Sequence, residues 1–259
     1  MKPLIDSDII CYEIGFAAEA GWQSPGFPSF DYVAELLELK IGNICAIVEA
    51  TEAPTFYLTG KTNFRTAIAK RHPYKARPSL KPFHYHNIKA YLNCKYDTIT
   101  SEGMEADDLM AIEQTRRGAE TIICSRDKDL RQVPGWTYSW ELGNQPQFGP
   151  VYVDTFGTLQ LSSDRKKLSG TGLKFFYAQC LTGDRVDTIP GLGGMGPVGA
   201  FGVLENAKTE EEAYAATLGA YKEVYGDDAK KELLEQGRLL WMTRELHDDG
   251  SPVLWELPF

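Results

Sequence analysis

The chain has 259 residues, 43% of them hydrophobic and 24% charged, the balance of an ordinary globular protein. Its five cysteines are scattered and form no CxxC pair, which argues against a zinc site or a disulfide framework. No stretch approaches the roughly 20 apolar residues of a membrane span and no signal peptide is visible, so a cytoplasmic protein with no membrane partner is expected. The net charge of −9 disfavours a polyanionic partner on average, but the average hides an asymmetry. From Lys61 to Lys95 there are nine basic residues and no Asp or Glu, leaving −18 on the rest of the chain.

In chain order, PLID reads as a short buried strand ending at Asp6, and SDIICYEIGFAAEA as the helix that follows. FDYVAELLELKIGNICAIVEA repeats apolar residues at three-and-four spacing and predicts a long helix. TFYLTG is a strand ending at Gly60. Pro73, Pro78 and Pro82 break the basic segment into loop or interrupted helix. YDTITS is a further strand. EADDLMAIEQTRRG is a helix with acids in its first turn and arginines in its last, and ETIICS is a strand ending just before Asp127. This alternation predicts an α/β fold with a central, mostly parallel sheet flanked by helices. Beyond about residue 135 come short strands and turns, and from Asp164 to about Leu246 the chain is mostly helical and glycine-punctuated. A soft boundary falls near 160, dividing the chain into 1–160 and 161–259. PVLWELPF reads as a tail packed back on the body.

Acidic residues recur at strand ends and helix starts: Asp6 and Asp8, then Glu105, Asp107 and Asp108, then Asp127 and Asp129, and last Asp184 and Asp187. In an open parallel sheet the carboxyl ends of the strands face one crevice, where ligands bind. Like charges gathered there repel unless a cation joins them. All-oxygen ligands suit Mg²⁺ or Mn²⁺, and two such ions roughly 3.5–4 Å apart make a clamp for phosphodiester hydrolysis. Taken singly, each acid pair has an ordinary reading as turn acids, helix-start acids or a local ion pair. The ordered set points to a metal site. The basic segment carries interleaved aromatics, Phe64, Tyr74, Phe83, Tyr85 and Tyr91, the mixture that single-strand binding uses. The loop IPGLGGMG, with Gly191, Gly193, Gly194 and Gly196, offers backbone N–H groups to a phosphate without regard to base identity.

The segments IDSDIICYE, NFR, YKAR, EADD, SRDKDLRQV and GDRVDTIPGLGGMG, in that order, resemble the 5′-nuclease superfamily of flap endonucleases and 5′–3′ exonucleases, with the small phage enzymes of the T7 type most similar. The resemblance implies a PIN-like fold. It implies that the chain is an enzyme, a metal-dependent nuclease acting on DNA with a 5′ end or 5′ flap, or on an RNA–DNA hybrid, in replication, repair or recombination. A monomer is expected, in host cytoplasm if phage-encoded. The implied metal ligands are Asp6, Glu105, Asp107, Asp127, Asp129, Asp184 and Asp187, with Asp108 close behind and Asp8 beside them, holding two Mg²⁺ or Mn²⁺ ions. Arg65, Lys75, Arg71 and Arg77 are implied to contact the scissile phosphate or the 5′ end, from a basic arch over about 61–95. A helix–three-turn–helix at about 175–205 is implied to bind duplex backbone, with K⁺ or Na⁺ held by its loop. Three features depart from the family pattern: Gly60 stands where a metal-binding aspartate is usual, YKAR is one residue shorter than the usual Tyr-Lys-x-x-Arg spacing, which sets the role of Arg77 below that of Lys75, and Val198 stands where a lysine is common. The alternatives are a haloacid-dehalogenase-type phosphatase with Asp6 as nucleophile, and a DNA-binding protein with an impaired site.

Overall fold

A computed structural model describes residues 1–75 and 80–258. In chain order the elements are β1 (Lys2–Asp6), α1 (Ser7–Gly21), α2 (Phe30–Ile47), β2 (Thr55–Leu58), α3 (Arg65–Ile68), α4 (Tyr85–Lys95), β3 (Asp97–Thr100), α5 (Ala106–Arg117), β4 (Thr121–Cys124), β5 (Gly135–Ser139), β6 (Phe148–Val153), β7 (Leu159–Leu161), β8 (Leu168–Gly170), α6 (Gly172–Thr182), α7 (Pro197–Leu204), α8 (Glu210–Tyr225) and α9 (Ala229–Leu240). Two compact units divide the chain. The first holds Met1–Thr62, Pro78–Asp127 and Gly135–Tyr152; the second holds Asn63–Arg77, Lys128–Pro134 and Val153–Phe259.

The first unit is built on a six-stranded sheet in the order β3-β2-β1-β4-β5-β6. β1 pairs in parallel with β2 and β4, β2 with β3, and β4 with β5, as the alternating pattern predicts. β1 and β4 are the central strands, and all four residues of β4 are buried, as a strand covered on both faces should be. Ile10, Ile14, Val33, Leu37, Ile41 and Ile44 of α1 and α2 pack on the sheet with Phe56 and Leu58 of β2. Tyr85, Ile88 and Leu92 of α4 join the same core. Residues 85–95, expected within an arch, are therefore a helix seated on this core. Its apolar face spends on packing what its composition suggested for nucleic acid.

The second unit is helical around Phe176, Tyr177, Leu181, Tyr221, Leu233 and Trp255, with the β7–β8 hairpin beside it. α6 is buried along nearly its whole length, so its apolar residues run continuously. The Tyr221 hydroxyl donates to the Cys180 carbonyl at 2.6 Å, satisfying one buried group with another. The C-terminal tail does pack back: the Trp255 indole lies so close to Gly237 that a Cβ there would sit 2.2 Å from the ring. Among the described residues no helix is long and apolar enough to cross a membrane.

Candidate metal and nucleic-acid site

In the first unit the acids stand at the carboxyl ends of parallel strands. Asp6 ends β1 and caps α1, its Oδ1 accepting the Ile9 N–H at 3.3 Å. Its Oδ2 accepts the Ser125 hydroxyl at 2.6 Å, just beyond the end of β4, and Ser125 Oγ in turn accepts the Asp127 N–H at 2.9 Å. One serine thus ties the end of β1 to the turn that carries Asp127. Asp6 is buried, and burial pushes its carboxyl up to about 6, opposed by the Ser125 hydrogen bond and reinforced by the charge of Asp8. Asp8 accepts the Thr59 N–H at 2.7 Å and lies 3.8 Å from the Lys89 ammonium.

Glu105 and Asp108 form a reciprocal capping box at the start of α5: the Glu105 side chain accepts the Asp108 N–H, and Asp108 Oδ2 accepts the Glu105 N–H at 3.2 Å. Both are buried. Asp107 sits half-buried in the same first turn. Gly60 has a steric reason. A Cβ there would lie 1.9 Å from the Ser101 carbonyl oxygen, so the backbone leaves no room for an aspartate.

In the second unit a different arrangement holds the acids. Lys128 Nζ donates to Asp129 Oδ1 at 2.9 Å and to Asp184 Oδ2, so two carboxylates grip one cation. Asp184 is buried at the end of α6, and its Oδ1 accepts the N–H groups of Val186 (2.7 Å) and Asp187 (3.3 Å). Burial acts to raise its carboxyl, but the Lys128 hydrogen bond and charge with those N–H groups hold it below the usual carboxylate range. Asp187 accepts the Tyr74 hydroxyl at 3.0 Å, its carbonyl accepts the Lys75 N–H at 3.1 Å, and its carboxylate stands 3.8 Å from Lys75 Nζ.

Several expected roles are placed otherwise. Among the described residues no three acidic, histidine or cysteine side chains stand together as a ready metal cage. Arg65, expected at a phosphate, is fully buried. Its Nε donates to the Leu239 carbonyl at 2.9 Å and its Nη2 to the Trp241 carbonyl at 2.6 Å, which closes the C-terminal end of α9. Arg71 donates to the Tyr225 hydroxyl at 2.9 Å and pairs with Glu232 at 3.2 Å. Arg77 lies outside the described residues.

The glycines also divide. Gly191 turns at φ +63°, its N–H is spent on Gln236 at 2.9 Å, and a Cβ there would meet the Gly183 nitrogen at 2.3 Å. It is a packing glycine and offers no N–H outward. Gly193, Gly194 and Gly196 face open space, with nothing near a Cβ, as a backbone-approach loop requires. α6, this loop and α7 make the helix–turn–helix element expected at 175–205.

No family model matches the sequence. Its curated relatives include DNA polymerase I of Rhizobium leguminosarum, 33% identical over 112 residues, or 41% of this chain and 10% of the polymerase. DNA polymerase I of Deinococcus radiodurans is 27% identical over 187 residues, 70% of this chain and 18% of the polymerase. The chain thus spans a small fraction of the relatives it matches. A bacteriophage T5 flap endonuclease solved with DNA and metal ions superimposes with a TM-score of 0.54 at 14% identity, covering 93% of this chain and 99% of that one. The T5 5′-exonuclease solved with zinc gives 0.54 at 15%, covering 91% and 100%. The chain has the fold of the 5′-nuclease superfamily. In that fold, as seen here, the strand ends carrying Asp6, Asp127 and the Glu105 turn belong to one unit, and the helix–turn–helix with Asp184 and Asp187 to the other.

Proposed function

We propose that this chain is a divalent-metal-dependent nuclease that hydrolyses DNA phosphodiesters near 5′ ends or 5′ flaps. The observation that carries this reading is the placement of acids at the carboxyl ends of adjacent parallel strands, Asp6 after β1 and Asp127 beyond β4, with Glu105 and Asp107 after β3. The similarity to a T5 flap endonuclease supports it through the fold.

The residues present suit hard cations. The donors are all carboxylate oxygen, and Asp129 with Asp184 already grips one cation in the form of the Lys128 ammonium. In the first unit Asp6, Asp8, Glu105, Asp107, Asp108 and Asp127, and in the second Asp129, Asp184 and Asp187, are each proposed as ligands of Mg²⁺ or Mn²⁺. Two such ions when bound would lower the pKa of a coordinated water and neutralise charge on the leaving oxygen. Lys75 supplies a cation toward the substrate phosphate, from a backbone held at φ +47°. The open loop at Gly193, Gly194 and Gly196 holds duplex backbone, with K⁺ or Na⁺ at that loop as a further proposal. A DNA duplex with a 5′ flap is the proposed substrate, an RNA–DNA hybrid a second one, and the working form a cytoplasmic monomer.

An Asp6 nucleophile of the phosphatase type is disfavoured by the site, since Asp6 is 3% exposed and its two oxygens accept from Ile9 and Ser125. Product sizing on 5′-labelled flap, nicked and blunt duplexes in Mg²⁺, Mn²⁺ and EDTA tests the proposal. Metal-dependent short products from the labelled end are expected. Tight DNA binding without cleavage in either metal would favour the impaired, DNA-binding reading.

A further inference from the structure

Asp129 is held from behind by a relay of two buried amides. Gln132 Nε2 donates to the Leu240 carbonyl at 3.1 Å and to Gln179 Oε1 at 2.7 Å, and Gln179 Nε2 donates to Asp129 Oδ1 at 2.5 Å. Gln132 is 0% exposed, Gln179 3% and Asp129 5%. The relay joins positions distant in sequence, from the 3-10 turn Asp129–Gln132 through the middle of α6 to the end of α9.

The chemistry of the two ends fixes the direction. A backbone carbonyl and a carboxylate can only accept. Gln132 must therefore turn its nitrogen toward Leu240, and the same nitrogen has a second hydrogen for Gln179 Oε1. Gln179 is then obliged to present its own nitrogen to Asp129. Reversing either amide sets oxygen against oxygen inside the core, where an unmade hydrogen bond is expensive. Both glutamines thus have one allowed orientation, and Asp129 Oδ1 receives a fixed N–H donor beside the Lys128 ammonium.

We propose that Gln132 and Gln179 are positioning residues that aim Asp129 at the cation it shares with Asp184. The proposal rests on the nuclease reading, because it takes that shared cation position to be where a divalent ion binds. It assigns the glutamines no contact with substrate. Neither residue stands out in the sequence, where SRDKDLRQV shows only its charges and Gln179 is one polar position in an apolar helix.

The test is Mn²⁺ titration of the full chain by calorimetry, with thermal melting in EDTA measured alongside. Gln179→Met keeps the volume and removes the donor, so the Kd for Mn²⁺ should rise about 10-fold, the lower end of what outer residues contribute at metal sites. Gln132→Met should raise it about 3-fold, because it frees the Gln179 amide to turn. The double variant should be no worse than Gln179→Met alone, since the two act in one line. Gln179→Glu, matching the shape but setting an acceptor against Asp129, should weaken binding more than Gln179→Met. A lowered melting temperature with an unchanged Kd in all variants would make the relay purely structural and overturn the proposal. Mn²⁺ binding by none of the proteins, wild type included, would instead overturn the nuclease reading on which it stands.

Discussion

The two units treat the same side chain in opposite ways. In the first, Asp6 is buried with neutral donors and the like charge of Asp8 beside it, and burial pushes its carboxyl up to about 6. In the second, Asp184 is also buried, yet the Lys128 ammonium and two N–H groups hold its carboxyl down. Two aspartates proposed as metal ligands, one in each unit, thus meet a cation from different starting points. Asp6 is destabilised as an anion and gains from any positive charge, whereas Asp184 already has one and must exchange it.

The largest effect should come from breaking the second arrangement at its centre. Asp184→Asn removes the carboxylate charge while keeping the shape, and should lower cleavage by far more than the roughly 10–100-fold expected of residues that merely support a ligand. DNA affinity should hold or improve, as anionic repulsion falls. Cleavage at the wild-type rate would remove Asp184 from the site. Arg65→Met comes next, as a stability effect. Truncating a fully buried guanidinium strands the Leu239 and Trp241 carbonyls and should destabilise the second unit by about 2–4 kcal/mol. The dependence of DNA affinity on salt should keep the wild-type slope, since Arg65 reaches no phosphate. A shallower slope at full folding would return Arg65 to the binding surface.

Asp6→Asn sharpens the contrast through pH. The native value lies above the ordinary 3.8, so the stability Asp6 contributes is present in acid and lost as pH rises through about 6. Asparagine removes that loss, and in EDTA the variant should be more stable than wild type at pH 8 by about 1–3 kcal/mol and no more stable at pH 3.5. An equal stability difference at both pH values would show that ionisation of Asp6 is not what matters. Lys128→Met should have the smallest effect, about 1 kcal/mol of destabilisation in EDTA, because the ammonium is half exposed and screened. Mn²⁺ should restore the lost stability by filling the position the ammonium leaves. Destabilisation that Mn²⁺ leaves untouched would mean that Lys128 holds no metal position.

Much of this molecule can be read from its residues in order. Apolar runs at period two and at three-and-four spacing mark β1, α1, α2, β2, β3, α5 and β4, and the rule that parallel strands present their carboxyl ends to one side picks out Asp6, Glu105 and Asp127. What stays hidden depends on distance along the chain. Arg65 looks like a surface cation until Leu239 and Trp241, more than 170 residues on, are seen to accept from it. Gly60 looks like a missing ligand until the Ser101 carbonyl is seen to fill the space of its side chain. Lys128 looks like one charge in DKD, and only the fold shows that it closes on Asp184, 56 residues later. Composition also misdirects at α4, whose lysines suggest an arch while Tyr85, Ile88 and Leu92 seat it in the core.

Counting manganese ions bound to the full chain, by calorimetry or by the loss of free-ion paramagnetic signal, bears most directly on the metal site. Two ions per chain are expected, with at least one lost in Asp127→Asn and in Asp184→Asn. A wild-type chain that takes up no manganese at millimolar concentration, or variants that bind as wild type does, would contradict it.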